Sequence, residues 1–164
     1  MKQIFKIFAV AVVMIAFTLN LNAQASATVN NANAAARIIA PITLTAGNTL
    51  HFGTAYNTGG TVIISTAGVR SGTCAVSAAA PAHSAGTFTV AGETGLTYTT
   101  TVPVAAVTIT NGTDNMNITA FTHNATGTIV AGGETFSVGA TLTVPAAVSS
   151  GAYTGTYSVT VAYN

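Results

Sequence analysis

The clearest pattern in the chain is an alternation of residue types at its C-terminal end. From Tyr153 to Tyr163, every second position holds tyrosine, valine or glycine, and threonine or serine fills most positions between them. Because the side chains of a β-strand point alternately to the two faces of a sheet, this period of two predicts a half-buried strand over residues 153–163. Residues 136–144 repeat the pattern, and Pro145 is expected to end that second strand.

Six further segments carry the β-branched and aromatic residues that are typical of strands, and glycine-rich or Asn-Gly turns separate them. No stretch of the sequence has the apolar period of a capped helix. The short strands at this spacing predict an all-β fold, an immunoglobulin-like antiparallel β-sandwich, with a barrel as the alternative. The six segments are residues 37–44, 61–65, 87–90, 96–102, 106–110 and 116–121.

The N-terminal residues have the pattern of a signal peptide. Two lysines near the start precede an unbroken apolar stretch at residues 7–17. A secretory signal has this order of a basic start, an apolar core and a small-residue end, so we expect residues 1–23 to be removed by cleavage after Ala23 or Ala25. A retained membrane helix is the alternative, but it needs about 20 apolar residues, and Asn20 closes the stretch too early.

The rest of the chain is long enough for one domain. Residues 24–35 are rich in alanine and asparagine and predict a flexible N-terminal leader. We expect residues 36–164 to form a single β-sandwich domain, because a chain of this length buries one core. Within it, residues 75–85 are alanine-rich, contain Pro81 and predict a surface loop.

Very few charged residues follow the signal peptide. Charged residues make up 4% of the whole chain. Phosphate binding needs clustered lysine and arginine, so the composition excludes nucleic acid as a partner. Threonine, serine and asparagine must hydrate the surface instead, which lets subunits approach without desolvating ions and favours self-association. A low-charge exported monomer is the alternative. The charged residues beyond the signal peptide are Arg37, Arg70, Glu93, Asp114 and Glu134.

Residues that carry chemistry are scarce and scattered. Cys74 is the only cysteine, so we expect a small buried apolar residue, with an intermolecular bridge as the alternative. His51, His83 and His123 lie too far apart in sequence to form the close ligand pairs of a zinc site. The acidic residues lie in or beside turns, where carboxylates are normally solvated. We therefore expect no catalytic, metal-binding or cofactor-binding residue, no cofactor and no enzymatic activity.

One aromatic residue is a candidate ligand contact. Carbohydrate sites generally stack sugars on exposed aromatic rings. The chain has no tryptophan, and four of its five tyrosines fall on inward positions of the predicted strands. Tyr56 instead precedes the Asn-Thr-Gly-Gly turn at residues 57–60, so it is the first candidate for contact with a ligand.

Several short segments, spread in order over nearly the whole chain after the signal peptide, carry a family resemblance. They are residues 34–42, 50–53, 88–92, 139–142 and 151–164. Together they resemble a family of exported bacterial proteins known as domain of unknown function 4402 (DUF4402).

The ending Gly-x-Tyr-x-Gly-x-Tyr-x-Val-Thr-Val, at residues 151–161, is also similar to the last strand of fimbrial and spore-coat-type subunits of the chaperone–usher kind. This similarity implies a pilin-like sandwich and no reaction. Such pilins commonly carry an internal disulfide and a donor strand with bulky alternating residues. This chain cannot form the disulfide, and residues 25–33 offer mainly small or polar side chains at alternating positions.

These features favour a secreted structural or adhesive cell-surface protein, a pilin-like subunit located in the periplasm, on the outer surface or outside a Gram-negative cell. A carbohydrate- or surface-ligand-binding module is the alternative, and an enzyme is the least favoured class. We expect association with copies of the chain or with related surface subunits through an exposed strand edge, because few charges are present to block strand addition. No membrane span is expected in the mature chain.

Overall fold

The computed structural model describes residues 26–164, and the chain divides into two units, Met1–Arg37 and Ile38–Asn164. In the first unit, residues 26–37 are exposed and form no strand. The signal peptide expected at residues 1–23 lies outside the described residues. Across residues 26–164, no helical segment has the length and apolar character that crossing a bilayer demands.

The second unit, which is described throughout, consists of strands and their connections without a helix, and this confirms the predicted all-β class. The strands are β1 (Thr43–Ala46), β2 (Thr54–Ala55), β3 (Thr58–Ile64), β4 (Arg70–Gly72), β5 (Val76–Ser77), β6 (Gly86–Ala91), β7 (Tyr98–Thr101), β8 (Val107–Thr110), β9 (Asn115–His123), β10 (Glu134–Ala146) and β11 (Thr160–Tyr163).

The long strand β10 organises the main sheet. One edge of β10 pairs with β6 through residues 134–138 and with β3 through residues 140–146, while β9 pairs with the opposite edge. The change of partner falls at Gly139, where an added Cβ would lie 2.8 Å from the carbonyl carbon of Ser65 in the β3–β4 turn. Only glycine leaves room for that turn. The resulting seven-stranded sheet runs β1-β6-β10-β3-β4, with β9 and β8 attached beside β10.

The core lies between this large sheet and the two-stranded sheet of β7 and β11. Along β10, Phe136 and Val138 are 1% and 0% exposed, whereas Thr135 and Thr143 are exposed on the other face. Tyr157, just before β11, packs against Phe121 of β9 with 5.2 Å between ring centroids. Side chains of this size each contribute about 1.5–3 kcal/mol when fully buried. Two antiparallel sheets thus share one core, which confirms the predicted sandwich-like arrangement.

The outer face of the large sheet is covered by uncharged hydroxyl and amide groups. Thr108, Asn117, Thr143 and Thr61 lie side by side on four neighbouring strands. The Thr108 hydroxyl donates to the side-chain oxygen of Asn117 at 3.2 Å. Threonine suits an extended backbone, and its hydroxyl keeps the face hydrated without charge.

Some element boundaries differ from those expected. The strand predicted at residues 37–44 begins only at Thr43, because Pro41 has no N–H for a ladder. The prediction that Pro145 ends the second strand was wrong, since β10 continues to Ala146. The pairing of β10 with β9 ends at Thr143, so no described strand bonds to that edge at Pro145, and a proline is tolerated there.

The loop predicted at residues 75–85 is mostly exposed but contains the two-residue strand β5, which pairs with β2. Strands of two or three residues, such as β2, β4 and β5, are too short to show a period of two. Their pairing with distant segments holds them extended, and no local pattern in the sequence predicts it.

The facing of β11 provides a test of the fold. Val161 is half-buried and packs against the core, whereas its neighbour Thr160 is exposed. We expect Val161→Asp to lower the free energy of unfolding by about 1–3 kcal/mol, because an unpaired carboxylate loses hydration there. The matched control Thr160→Asp should cost less than about 0.5 kcal/mol. Thermal melts measure the difference, and equal melting temperatures would mean that β11 faces the other way.

Candidate interaction site

The C-terminal segment, residues 153–163, is paired at its two ends but not in its middle. Thr154 and Thr110 exchange two backbone hydrogen bonds of 3.0 Å, and β11 pairs with β7. Residues 155–159 form no backbone hydrogen bond with any part of the described chain. The strand predicted over the whole segment is therefore a regular strand only at its end.

The absence of pairing is explained by the segment of the same chain that runs alongside, from β7 to β8. Thr101 pairs with Thr160, and Thr110 pairs with Thr154. The two paired positions are nine residues apart along the β7–β8 stretch but only six residues apart along the C-terminal segment. The three extra residues bulge outward, and Val104 within the bulge is 99% exposed. Because this bulge leaves the sheet, residues 155–159 have no described strand bonded to them.

The inward face of the C-terminal segment is only partly covered. Tyr157, Val159 and Val161 pack against the core but remain half-buried, whereas Val138 of β10 is fully buried. The inward facing that the alternation predicts is confirmed, and Val159 and Val161 are half-buried on that side. Leu44 of β1, a strand that bonds only to β6 within the described chain, is also half-buried.

We call residues 155–159, together with the half-buried inward face of Tyr157 and Val159, the open edge.

Two tyrosines of the C-terminal segment pack against two glycines of the large sheet. Tyr157 and Tyr163 are six residues apart, and their hydroxyls lie over Gly86 and Gly92, which have the same spacing along and just beyond β6. A Cβ on either glycine would collide with the hydroxyl above it. These contacts set the position of one sheet on the other, so the tyrosines do more than fill the core.

Tyr163 also fastens the start of the domain. Its hydroxyl donates to the carbonyl oxygen of Ala40 at 2.9 Å and accepts from the backbone N–H of Glu93 at 2.7 Å. The Glu93 carboxylate accepts from the Ala40 N–H at 3.3 Å. These bonds fix the point where the chain enters the domain. Two residues earlier, Ile38 is 92% exposed.

Glu134 contradicts the expectation that the acidic residues are solvated. It is 9% exposed, and its carboxylate accepts hydrogen bonds from the Tyr98 hydroxyl at 2.7 Å, the Thr126 N–H at 2.6 Å and the Thr126 hydroxyl at 2.9 Å. Burial raises the pKa of Glu134, but these hydrogen bonds outweigh burial and hold the pKa below its usual range. Burial and the adjacent carboxylate raise the pKa of Tyr98. The cluster joins β7, β10 and the β9–β10 connection.

The other chemistry-bearing side chains do not converge. Within residues 26–164, no group of three or more histidine, cysteine or acidic side chains is placed to hold a metal ion. Cys74 is buried, as predicted, and its thiol donates to a backbone carbonyl oxygen at 3.2 Å. His51 accepts from the Gly53 N–H through Nδ1 at 2.8 Å, and His83 and His123 are exposed.

Tyr56, the candidate ligand contact, lies between β2 and β3 and is 55% exposed. Its backbone N–H donates to the carbonyl oxygen of Ala75 at 2.9 Å, so the turn that carries the ring is bonded to the residue just before β5. Exposure is what stacking on a sugar requires. Nothing in the geometry tests such a contact, so the role of Tyr56 stays a prediction.

The fold and the open edge define the class: an all-β, antiparallel, sandwich-like domain with one incompletely paired edge. The chain belongs to the family described as Domain of unknown function (DUF4402), whose model matches residues 42–163. The match takes in every strand from β1 to β11. The family resemblance is thereby confirmed. No curated protein and no solved structure matches the chain significantly.

The contact between Tyr157 and Gly86 can be tested with a double-mutant cycle. Gly86→Ala should destabilise the domain, because the new methyl group meets the Tyr157 hydroxyl, while the next atom, Cβ of Leu50, lies at 3.4 Å. In a Tyr157→Phe background, the same substitution should cost about 0.5–3 kcal/mol less. Denaturant unfolding of the four proteins measures this coupling. If the stability losses of Gly86→Ala and Tyr157→Phe were strictly additive, the Tyr157 hydroxyl would not contact Gly86.

The Glu134 cluster predicts a pH dependence of stability. The pKa of Glu134 is lower in the folded chain than its value of about 4.3 in an unfolded chain. The ionised group therefore stabilises the fold above about pH 4.3, and this contribution disappears as the pH falls through the folded pKa. Glu134→Gln should cost about 1–3 kcal/mol near neutral pH, because an amide cannot accept all three hydrogen bonds. Urea unfolding should show this cost shrinking as the pH falls below about 4.3; a constant cost would contradict the assignment.

Proposed function

We propose that this protein is a secreted structural or adhesive subunit of the cell surface, pilin-like and without catalytic activity. It acts by associating with copies of itself or with related subunits in the periplasm, on the outer surface or outside the cell. The basic start, apolar core and small-residue end of residues 1–23 support export.

The open edge carries this proposal. Within the described chain, residues 155–159 form no backbone hydrogen bond, and they lie beside a half-buried apolar face. Edge strands are usually protected by charges, prolines or bulges, and residues 153–163 contain no charged residue and no proline. An edge of this kind accepts a strand from another molecule, because the added strand gains backbone hydrogen bonds and covers apolar surface.

The surface chemistry also supports association. The outer face of the large sheet is covered by threonine and asparagine, and the formal net charge of the whole chain is +1. Like subunits therefore meet little charge repulsion, whereas a strongly charged surface would keep them apart.

A second candidate function is the binding of a carbohydrate or another surface ligand. The exposure of Tyr56 favours it, since this aromatic residue is 55% exposed in a turn whose backbone is bonded to Ala75. A single ring provides limited contact area, so this candidate ranks second.

Self-association is the direct test. The secreted chain should form oligomers that grow with protein concentration in size-exclusion chromatography with light scattering. Thr156→Lys combined with Ser158→Lys should shift it to monomers, because charges on an edge block strand addition. The control Thr143→Lys adds a charge to the outer face of β10, which is paired on both edges at that position, and should leave the oligomers intact.

Electron microscopy of cells with and without the protein distinguishes the two candidate functions. Filaments or a surface layer that disappear on deletion would support the structural role. An unchanged surface, together with binding to a neutral glycan that Tyr56→Ala abolishes, would favour the binding module. A chain that stays monomeric at high concentration and in the native envelope would leave the structural role without support.

A further inference from the structure

We propose that Arg70, flanked by His51 and His83, binds an oxyanion, such as a phosphate or a carboxylate group. Arg70 begins β4, and the two histidines lie in the connections before β2 and before β6. The site uses no residue of the open edge. The inference does not rest on the proposed function, because it concerns a bound anion and not an association between chains.

Arg70 carries the only permanent positive charge in residues 38–164, which contain no lysine and no other arginine. Its side chain is half-buried, and within the described residues it bonds only to backbone carbonyl oxygens, that of Ser77 at 2.9 Å and that of Phe52 at 3.4 Å. Carbonyl groups are neutral, whereas a charge that is withdrawn from water is usually paired with an opposite charge. The guanidinium charge is therefore not balanced by these contacts.

The carboxylates of the domain are engaged in other places. Each accepts hydrogen bonds from another segment: Glu93 from Ala40, Asp114 from Ser149, and Glu134 from Tyr98 and Thr126. Within residues 26–164, Arg70 bonds to none of them. A dissolved anion that approaches Arg70 is therefore attracted without competition from a carboxylate of the described chain.

The two carbonyl contacts also hold the guanidinium in a defined position. They use two of its five N–H donors, so about three remain for a ligand. Within residues 26–164, the Thr100 hydroxyl is the one buried side-chain polar group without a hydrogen bond. The Nε atom of Arg70, which bonds to neither carbonyl, is thus in contact with solvent. A fixed guanidinium of this kind suits oxyanions, because its planar fork matches two oxygen atoms.

The two histidines border the same point. They do not converge on a metal site, but both adjoin Gly53, and Nη1 of Arg70 lies over that glycine. A Cβ on Gly53 would collide with Nη1 and would lie 3.3 Å from the Cβ of His83. His51 accepts from the Gly53 N–H through Nδ1, so its ring proton is on Nε2, where it can be donated to a ligand. The glycine therefore lets the three side chains gather.

Backbone pairing fixes the segments that carry the histidines. His51 and Ser84 exchange two hydrogen bonds of 2.8 Å, so the residue after His83 is bonded directly to His51. The donors are thus arranged before a ligand arrives, which lowers the entropic cost of binding.

An NMR titration of the protein with sodium phosphate tests the site. Sodium chloride at the same ionic strength is the reference, because it separates binding from screening. The amide signal of Gly53 and the ring signals of His51 and His83 should shift with phosphate and saturate. The amide of Thr143, on the outer face of β10, should not shift. Sodium glucuronate and glucose form a second pair of probes, which differ in the carboxylate.

Substitutions at the site provide the second measurement. Arg70→Gln keeps N–H donors for the carbonyl groups but removes the charge, so it should raise the dissociation constant about tenfold or more. His83→Gln, at an exposed residue, should raise it about threefold through the loss of one donor. The matched control is His123→Gln, which should leave it unchanged. His123 is exposed on β9, and β10 and β3 separate it from β4.

The outcomes decide both the site and the source of the anion. Saturable shifts with phosphate but not with glucuronate would identify a phosphate ligand, and shifts with glucuronate but not with glucose would identify an acidic sugar. No saturable shift with either anion would overturn the inference, as would equal binding by Arg70→Gln. If Arg70→Gln does not fold, His83→Gln takes its place, and binding as tight as that of the parent chain would then overturn the site.

Discussion

The backbone of β10 must hydrogen-bond with three strands, and the rest of the domain depends on how it does so. β6 and β3 share one edge and β9 takes the other, so β10 has to change partners within its length. Gly139 allows the change because the β3–β4 turn occupies the space of a side chain. Val138 and Ala140, on either side of it, then face the same core.

The sheet of β7 and β11 is held against the large sheet mainly by side-chain contacts. Tyr157 contacts Gly86 of β6 and Tyr163 contacts Gly92 just beyond it, and Tyr163 also bonds to Ala40 and Glu93. These anchors hold the C-terminal segment in place, although its middle residues form no backbone hydrogen bond with residues 26–164. The core is thus well packed although residues 155–159 form no backbone hydrogen bond within the described chain.

The sequence predicts the fold class and the long strands, because alternation over six or more residues reports directly on the two faces of a sheet. The open edge could not be predicted, since it arises from a three-residue mismatch between two distant segments. The burial of Glu134 was hidden for the same reason: its partners Tyr98 and Thr126 lie in other elements, while its neighbours form a glycine turn. The equal six-residue spacing of Tyr157 and Tyr163 and of the glycines they contact was a detectable signal.

The outer face of the large sheet is hydrated by hydroxyl and amide groups, so electrostatic screening by dissolved salt has little effect on it. Screening acts on charges, and its range falls from about 10 Å at 0.1 M salt to about 3 Å at 1 M. The row that contains Thr61, Thr143 and Asn117 has no charge to screen. Arg70 donates to the carbonyl oxygen of Ser77 at 2.9 Å, so part of its bonding is to a neutral group. Changes in ionic strength therefore act little on the electrostatics of this part of the sheet face.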